Sequence, residues 1–101
     1  MTSQTITINH PASAGLDDRE DVVVRLIPGE PGSGVELNIE SKVKSMFGDQ
    51  IRASVFEVLE GYHLTDLKVE IHDRGALDFV IRARLMAAIE RALDMVPEVK
   101  I

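Results

Sequence analysis

The chain has no cysteine and no tryptophan, and aromatic residues make up only 4% of its 101 residues. Without thiols, a disulfide framework, a thiolate nucleophile and a cysteine-based metal site are all excluded. So few rings argue against binding nucleic acid by stacking bases on an aromatic platform, and they require a core built from Val, Ile, Leu, Met and Ala. Positive charge is short as well: 11 Lys and Arg face 17 Asp and Glu, a formal charge of −6. Nucleic acid and anionic membrane surfaces both reward clustered Lys and Arg, so neither is expected as a partner. No apolar run approaches the roughly 20 residues of a membrane-spanning helix. The opening residues, Met1 to Thr5, lack both a basic segment and an apolar segment, so no secretory signal is visible and a cytoplasmic location is the default expectation.

Apolar residues nevertheless reach 45%, enough for one packed interior, and the length predicts a single domain over residues 1–101. Ile6 to Asn9 alternates and predicts a short edge strand. Pro11 to Asp21 is small and acidic without apolar periodicity, which predicts a mobile surface loop at about residues 10–20. Asp21 to Pro28 is β-branched, and Val35 to Glu40 alternates strictly with Val35, Leu37 and Ile39 on one face; both predict strands. The Gly29-Glu30-Pro31-Gly32-Ser33-Gly34 segment between them predicts a hairpin connection.

The period then changes. Val43, Phe47, Ile51, Val55, Leu59 and Tyr62, widened by Val58, form a helical stripe ending near Gly61. Gly48 is unfavourable inside a helix, so the helix proper is expected to begin at Asp49, a credible cap. Leu67 to His72 alternates as a third strand. Leu77, Ile81, Leu85, Ile89 and Ala92, with Val80 and Ala88 beside them, mark a second helix ended by Val96-Pro97 and followed by a tail. The order ββαβα, with one possible extra strand first, predicts the α+β class: a two-layer sandwich in which a small sheet, a hairpin plus a further strand, is covered on one face by two helices.

Candidate chemistry is sparse. His10, His63 and His72 are far apart in sequence and read as surface histidines rather than metal ligands or acid–base groups. No Ser, His, Asp constellation with a nucleophile elbow is visible. The GEPGSG turn lacks both the Lys-Ser/Thr pair and the strand-to-helix context of a phosphate loop. Arg74, Arg82, Arg84 and Arg91 cluster around the second helix, with Arg84 and Arg91 on one face and Arg82 on another. Such guanidinium groups hold carboxylates or phosphates bidentately; the competing reading is a solvated face paired with nearby acids. The residues alone thus give an acidic α+β domain without a catalytic constellation, which favours a carrier or binding subunit over a self-contained enzyme.

Three stretches resemble the gamma, or acyl-carrier, subunit of citrate lyase over roughly residues 6–93. They are Asp73-Arg74-Gly75-Ala76-Leu77-Asp78 followed by Ile81-Arg82-Ala83-Arg84-Leu85; Phe47-Gly48-Asp49-Gln50-Ile51-Arg52; and Asn9-His10-Pro11-Ala12 with Ala14-Gly15, Asp21-Val22 and Arg25. The resemblance implies a subunit with no chemistry of its own. Members of that family carry 2'-(5''-phosphoribosyl)-3'-dephospho-CoA through a phosphodiester to a serine, installed by a prosthetic-group transferase. The arm's thioester then serves the acyl-transferase (alpha) and lyase (beta) subunits of a complex that cleaves citrate, or citramalate in related complexes.

The same resemblance exposes a departure. The family's attachment motif reads approximately Ala-Gly-Thr-Leu-Glu-Ser-x-Asp, whereas this chain has Ala14-Gly15-Leu16-Asp17-Asp18-Arg19-Glu20-Asp21. Gly15 and Asp21 align without a gap, so Arg19 stands where the serine belongs, and arginine cannot form the phosphodiester. Three readings stay open: Ser13 has taken over as the attachment residue, the chain is an unmodified paralogue acting as an adaptor, or the serine was removed deliberately.

Overall fold

The computed structural model of the chain describes residues 4–41 and 44–95. In chain order the elements are β1 (Ala12–Ala14), β2 (Val22–Pro28), β3 (Val35–Ser41), α1 (Lys44–Gly61), β4 (Leu67–Asp73) and α2 (Asp78–Ala92). The strands form one sheet in the order β1-β2-β4-β3. β1 pairs antiparallel with β2, β2 antiparallel with β4, and β3 parallel with β4.

Period-two alternation places every apolar row on the same face. Ala14, Val24, Ile71 and Ile39 lie side by side across the four strands, and Ala12, Leu26, Val69 and Leu37 form the next row. Both helices cover this face. Ile51, Val55 and Leu59 of α1 and Ile81, Leu85, Ala88, Ile89 and Ala92 of α2 are buried against it. Each of the larger aliphatic side chains contributes about 1.5–3 kcal/mol through its removal from water. The opposite face carries Ser13, Arg25, Glu70 and Asn38 in register and is solvated. The α+β two-layer architecture expected from the sequence is therefore present.

Its wiring differs from the expectation. GEPGSG does not close a hairpin, because β4 lies between β2 and β3 and pairs with both. The segment instead bridges the start of β4, and Asp66 holds it there. The Asp66 carboxylate accepts the amides of Gly32 at 3.1 Å and Gly34 at 2.9 Å, while its carbonyl accepts that of Gly29 at 2.8 Å. The anion in this glycine-rich cradle is the chain's own. The true hairpin joins β1 to β2, and β3 reaches β4 through the α1 crossover that parallel pairing demands.

The first strand is also displaced. Ile6 makes only an isolated bridge to Leu64, and the edge strand falls at Ala12–Ala14, inside the span expected to be loop. α1 already runs from Lys44, so Gly48 sits within the helix and the start expected at Asp49 is too late. Phe47 and Leu77, assigned to apolar stripes, are 45% and 64% exposed. Val43, Val96, Pro97 and the tail at 98–101 lie outside the described residues.

Both helices end in the same way. His63 and Asp94 take left-handed backbone, φ 59° and 57°. Leu64 N–H then returns to the Leu59 carbonyl and Met95 N–H to that of Glu90, the double-turn closure that satisfies terminal carbonyls. Among the described residues no helix is long and apolar enough to cross a membrane.

Candidate functional site: the loop between β1 and β2

The segment from Gly15 to Asp21 is braced at both ends. Gly15 has φ +99°, and a Cβ there would lie 1.8 Å from the Val22 carbonyl oxygen, so only glycine lets the chain leave β1 this close to β2. At the other end the Asp21 carboxylate accepts the Val22 amide at 2.7 Å and a two-pronged contact from Arg84, Nε at 3.1 Å and Nη2 at 2.9 Å. Arg84, then the amides of Val22 and Leu16, hold the Asp21 carboxyl below the usual carboxylate range. The loop is also laced to the turn after β4. Glu20 N–H donates to the Arg74 carbonyl at 3.1 Å, Arg74 N–H to that of Asp21 at 2.9 Å, and Arg74 Nη1 lies 3.4 Å from Asp17. The side chains of Leu16 to Glu20 remain exposed.

That neighbouring turn is built on Asp73, which is only 4% exposed. One carboxylate oxygen accepts the amides of Gly75 at 3.1 Å and Ala76 at 2.8 Å, and the other accepts the Ser41 hydroxyl at 2.8 Å. A buried carboxylate survives because each oxygen is engaged. Beyond the turn, Asp78 accepts Ser54 Oγ at 2.5 Å and Arg82 Nε at 2.8 Å, and Arg82 Nη2 reaches Glu57 at 3.3 Å. This group ties α1 to α2. Ser54 foremost, followed by Arg82, holds Asp78 below the usual range, while Glu57 and Asp78 raise Arg82 further. Two clefts flank the turn. One of about 320 Å³ beside the loop is lined by Asp17, Glu40, Ser41, His72, Asp73 and Arg74. The other, about 330 Å³ and largely apolar, opens between Phe47 and Leu77.

The residues singled out from sequence scatter around this frame. Arg19 sits exposed in the braced loop, its amide donating to Asp18 Oδ1 at 2.7 Å. Ser13 lies in β1, opposite Arg25, with its side chain exposed and its carbonyl accepting Arg91 Nη1 at 2.7 Å. His10 meets Asp94, His72 faces Glu40 at 3.3 Å, and His63 supplies the left-handed residue after α1. Of the four arginines, Arg74, Arg82 and Arg84 pair with acids of this chain and Arg91 with a backbone carbonyl. No group of three or more metal-ligating side chains occurs among the described residues. Sequence reading missed Asp66, Ser41 and Ser54, whose partners lie 24 to 34 residues away. The one available signal was their short hydrogen-bonding side chains beside turns or helices.

Fold and site together define a small α+β domain that holds out one exposed, internally braced loop. Comparison with known proteins gives that domain a family. The family model described as malonate decarboxylase delta subunit (MdcD), an ACP, matches residues 9–92. The citrate lyase acyl carrier protein of Edwardsiella ictaluri (strain 93-146) is 45% identical over 89 residues, covering 88% of this chain and 90% of its own. Those of Vibrio cholerae serotype O1 (strain M66-2) and Weissella paramesenteroides are 46% identical over 88 residues (87% of this chain, 89% of theirs) and 43% over 89 (88% and 90%). Among solved structures, a chain from a Pseudomonas malonate decarboxylase hetero-tetramer in complex with malonate superposes with a TM-score of 0.76 at 25% identity, covering 87% of this chain and 89% of that one. This chain belongs to the acyl carrier protein family of the citrate lyase and malonate decarboxylase type.

Proposed function

We propose that the chain is a non-catalytic acyl-carrier-type subunit of a citrate lyase-like complex, working beside acyl-transferase (alpha) and lyase (beta) subunits. The observation that carries this reading is the braced loop: Gly15 and the Asp21–Arg84 pair fix its ends and leave its middle to solvent. The exposed surface formed by this loop and by Ser13, two residues before Gly15, offers a group to a modifying enzyme, and later to two active sites, while the buried face of the sheet stays fixed. Tethering at a defined point raises the local concentration of whatever is carried.

The prosthetic group expected from the family, 2'-(5''-phosphoribosyl)-3'-dephospho-CoA, needs a hydroxyl for its phosphodiester. It does not fit at Arg19, which has none. Ser13 supplies an exposed hydroxyl two residues before Gly15, and no side-chain hydrogen bond engages it among the described residues. Ser13 is therefore the proposed attachment residue, reached on the solvated sheet face by a prosthetic-group transferase. Intact mass of the protein from a host containing the modifying enzymes tests this: the wild type gains the mass of the arm and Ser13→Ala does not.

Arg19 favours a second reading, an unmodified adaptor of a lyase-like complex. An unmodified wild-type mass with the modifying enzymes present, together with co-purification of lyase or transferase subunits, selects it. Failure to recover any such subunit removes both readings.

A further inference from the structure

At the end of the molecule where α2 finishes, one side chain joins the N-terminal segment to the helix. His10 Nε2 lies 2.9 Å from Asp94 Oδ1, and its Nδ1 lies 3.1 Å from the Pro11 carbonyl oxygen. Both neighbours are acceptors: a carbonyl and an ionised carboxylate have no proton to give. A neutral imidazole carries one N–H and satisfies one of them; the imidazolium carries two and satisfies both. We propose that His10 is a pH-responsive clasp, closed as the imidazolium and opened by loss of a proton, that fastens the segment leading into β1 to the C-terminal end of α2.

The surroundings favour the charged form. Residues 4–14 contain no acidic or basic side chain apart from His10. From α2 and the residues after it, Asp94 bears on the ring, and Arg91, one turn earlier, is committed to the Ser13 carbonyl. The negative end of the helix dipole at the C-terminus of α2 favours a cation there as well. The hydrogen bond to Asp94, followed by that to Pro11, raises His10 above its ordinary 6.5. An unfolded histidine titrates near 6.5, so the clasp contributes fully below that pH and is lost as pH rises through the higher value of the folded protein.

What the clasp holds is short. β1 pairs with β2 over three residues, and its approach is otherwise secured by Ile8 in the core, the Asn9–Ala92 backbone contact at 3.4 Å and Arg91. Opening the clasp loosens the far end of this edge strand while Gly15 keeps the near end in place.

Nuclear magnetic resonance of the full chain tests the proposal. The His10 ring is titrated and amide protection at residues 9–14, corrected for intrinsic exchange, is followed from about pH 5.5 to about pH 8, across the imidazole range. The expected result is a His10 pKa above 6.5 in the wild type and a several-fold loss of protection at residues 9–14 through the same transition. Asp94 has left-handed backbone, which asparagine and glycine adopt readily, so Asp94→Asn and Asp94→Gly remove the charge or the acceptor without straining the helix end. Both variants are expected to return His10 towards 6.5 and to flatten the pH dependence of protection. An unraised wild-type pKa, a raised pKa indifferent to both variants, or protection indifferent to pH each overturns the clasp.

Discussion

Gly15 and Asp21 show how much can rest on single positions in a loop whose other side chains face water. At Gly15 any side chain meets two obstacles at once, left-handed backbone and a carbonyl oxygen within bonding distance of the new Cβ. Gly15→Ala is expected to cost at least about 2 kcal/mol, the sum of backbone strain and overpacking, read as a lower urea midpoint with an unchanged slope. Asp21 sets an acid limit instead. Its carboxyl is held low by Arg84 first, and by the Val22 and Leu16 amides after it, so it adds stability above the unfolded value of 3.8 and loses it as pH falls through its lower folded value. Asp66 and Asp78 shift the same way, through the Gly32 and Gly34 amides and through Ser54 and Arg82 respectively. Urea midpoints should therefore fall steeply on acidification below about pH 4, where carboxylates titrate. The fall should be shallower in Arg84→Leu, whose midpoint at neutral pH is already lower.

Elements were legible where one period ran uninterrupted. The alternation of β2, β3 and β4 and the four-residue stripes of both helices placed every one of these elements to within a few residues of its bounds. Pairing was not legible. Val22 to Pro28 and Val35 to Ser41 are joined by a turn-forming hexapeptide, yet the deciding fact is that Leu67, Val69 and Ile71 belong to the central strand, which lies between them and is buried on its apolar face. Phe47 and Leu77 were misplaced for a related reason: each lies at or near the start of its helix, where the right angular position no longer faces the sheet. β1 escaped notice because three small residues carry no alternation strong enough to distinguish a strand from a loop. The turn between β4 and α2 depends on Asp73 in a way the motif suggested without explaining. Asp73→Ala strands the Gly75 and Ala76 amides and the Ser41 hydroxyl, an expected cost of about 1–3 kcal/mol. Asp73→Asn, which keeps an acceptor for the amides, should cost less by the same denaturation assay.

On the scale of the whole molecule, the family motifs prove to be the joints between elements. Asp21 with Arg84 fastens the loop to α2, Asp78 with Ser54 and Arg82 fastens α2 to α1, and Asp73 with Ser41 fastens the ends of β4 and β3. The motifs that pointed to the family include these joints, which the fold demands, whereas an attachment hydroxyl would have only to be exposed and leaves no such pattern. β4 is flanked by seven paired residues on each side, and its apolar side chains are fully buried. Native-state hydrogen exchange should find its amides the slowest in the chain, opening only with global unfolding, and β1 among the fastest strand amides. The central position of β4 also sets an order in time. β2 and β3 are synthesised early yet are not neighbours in the finished sheet, and the edge each turns towards β4 stays open until the whole of α1 has been made. A nascent chain ending near Gly61 holds the β1–β2 hairpin and an unpaired β3, without the central strand that joins them. Long-range pairing of this kind slows folding, and a kinetic trap for this chain would be a premature β2–β3 hairpin that β4 must prise open.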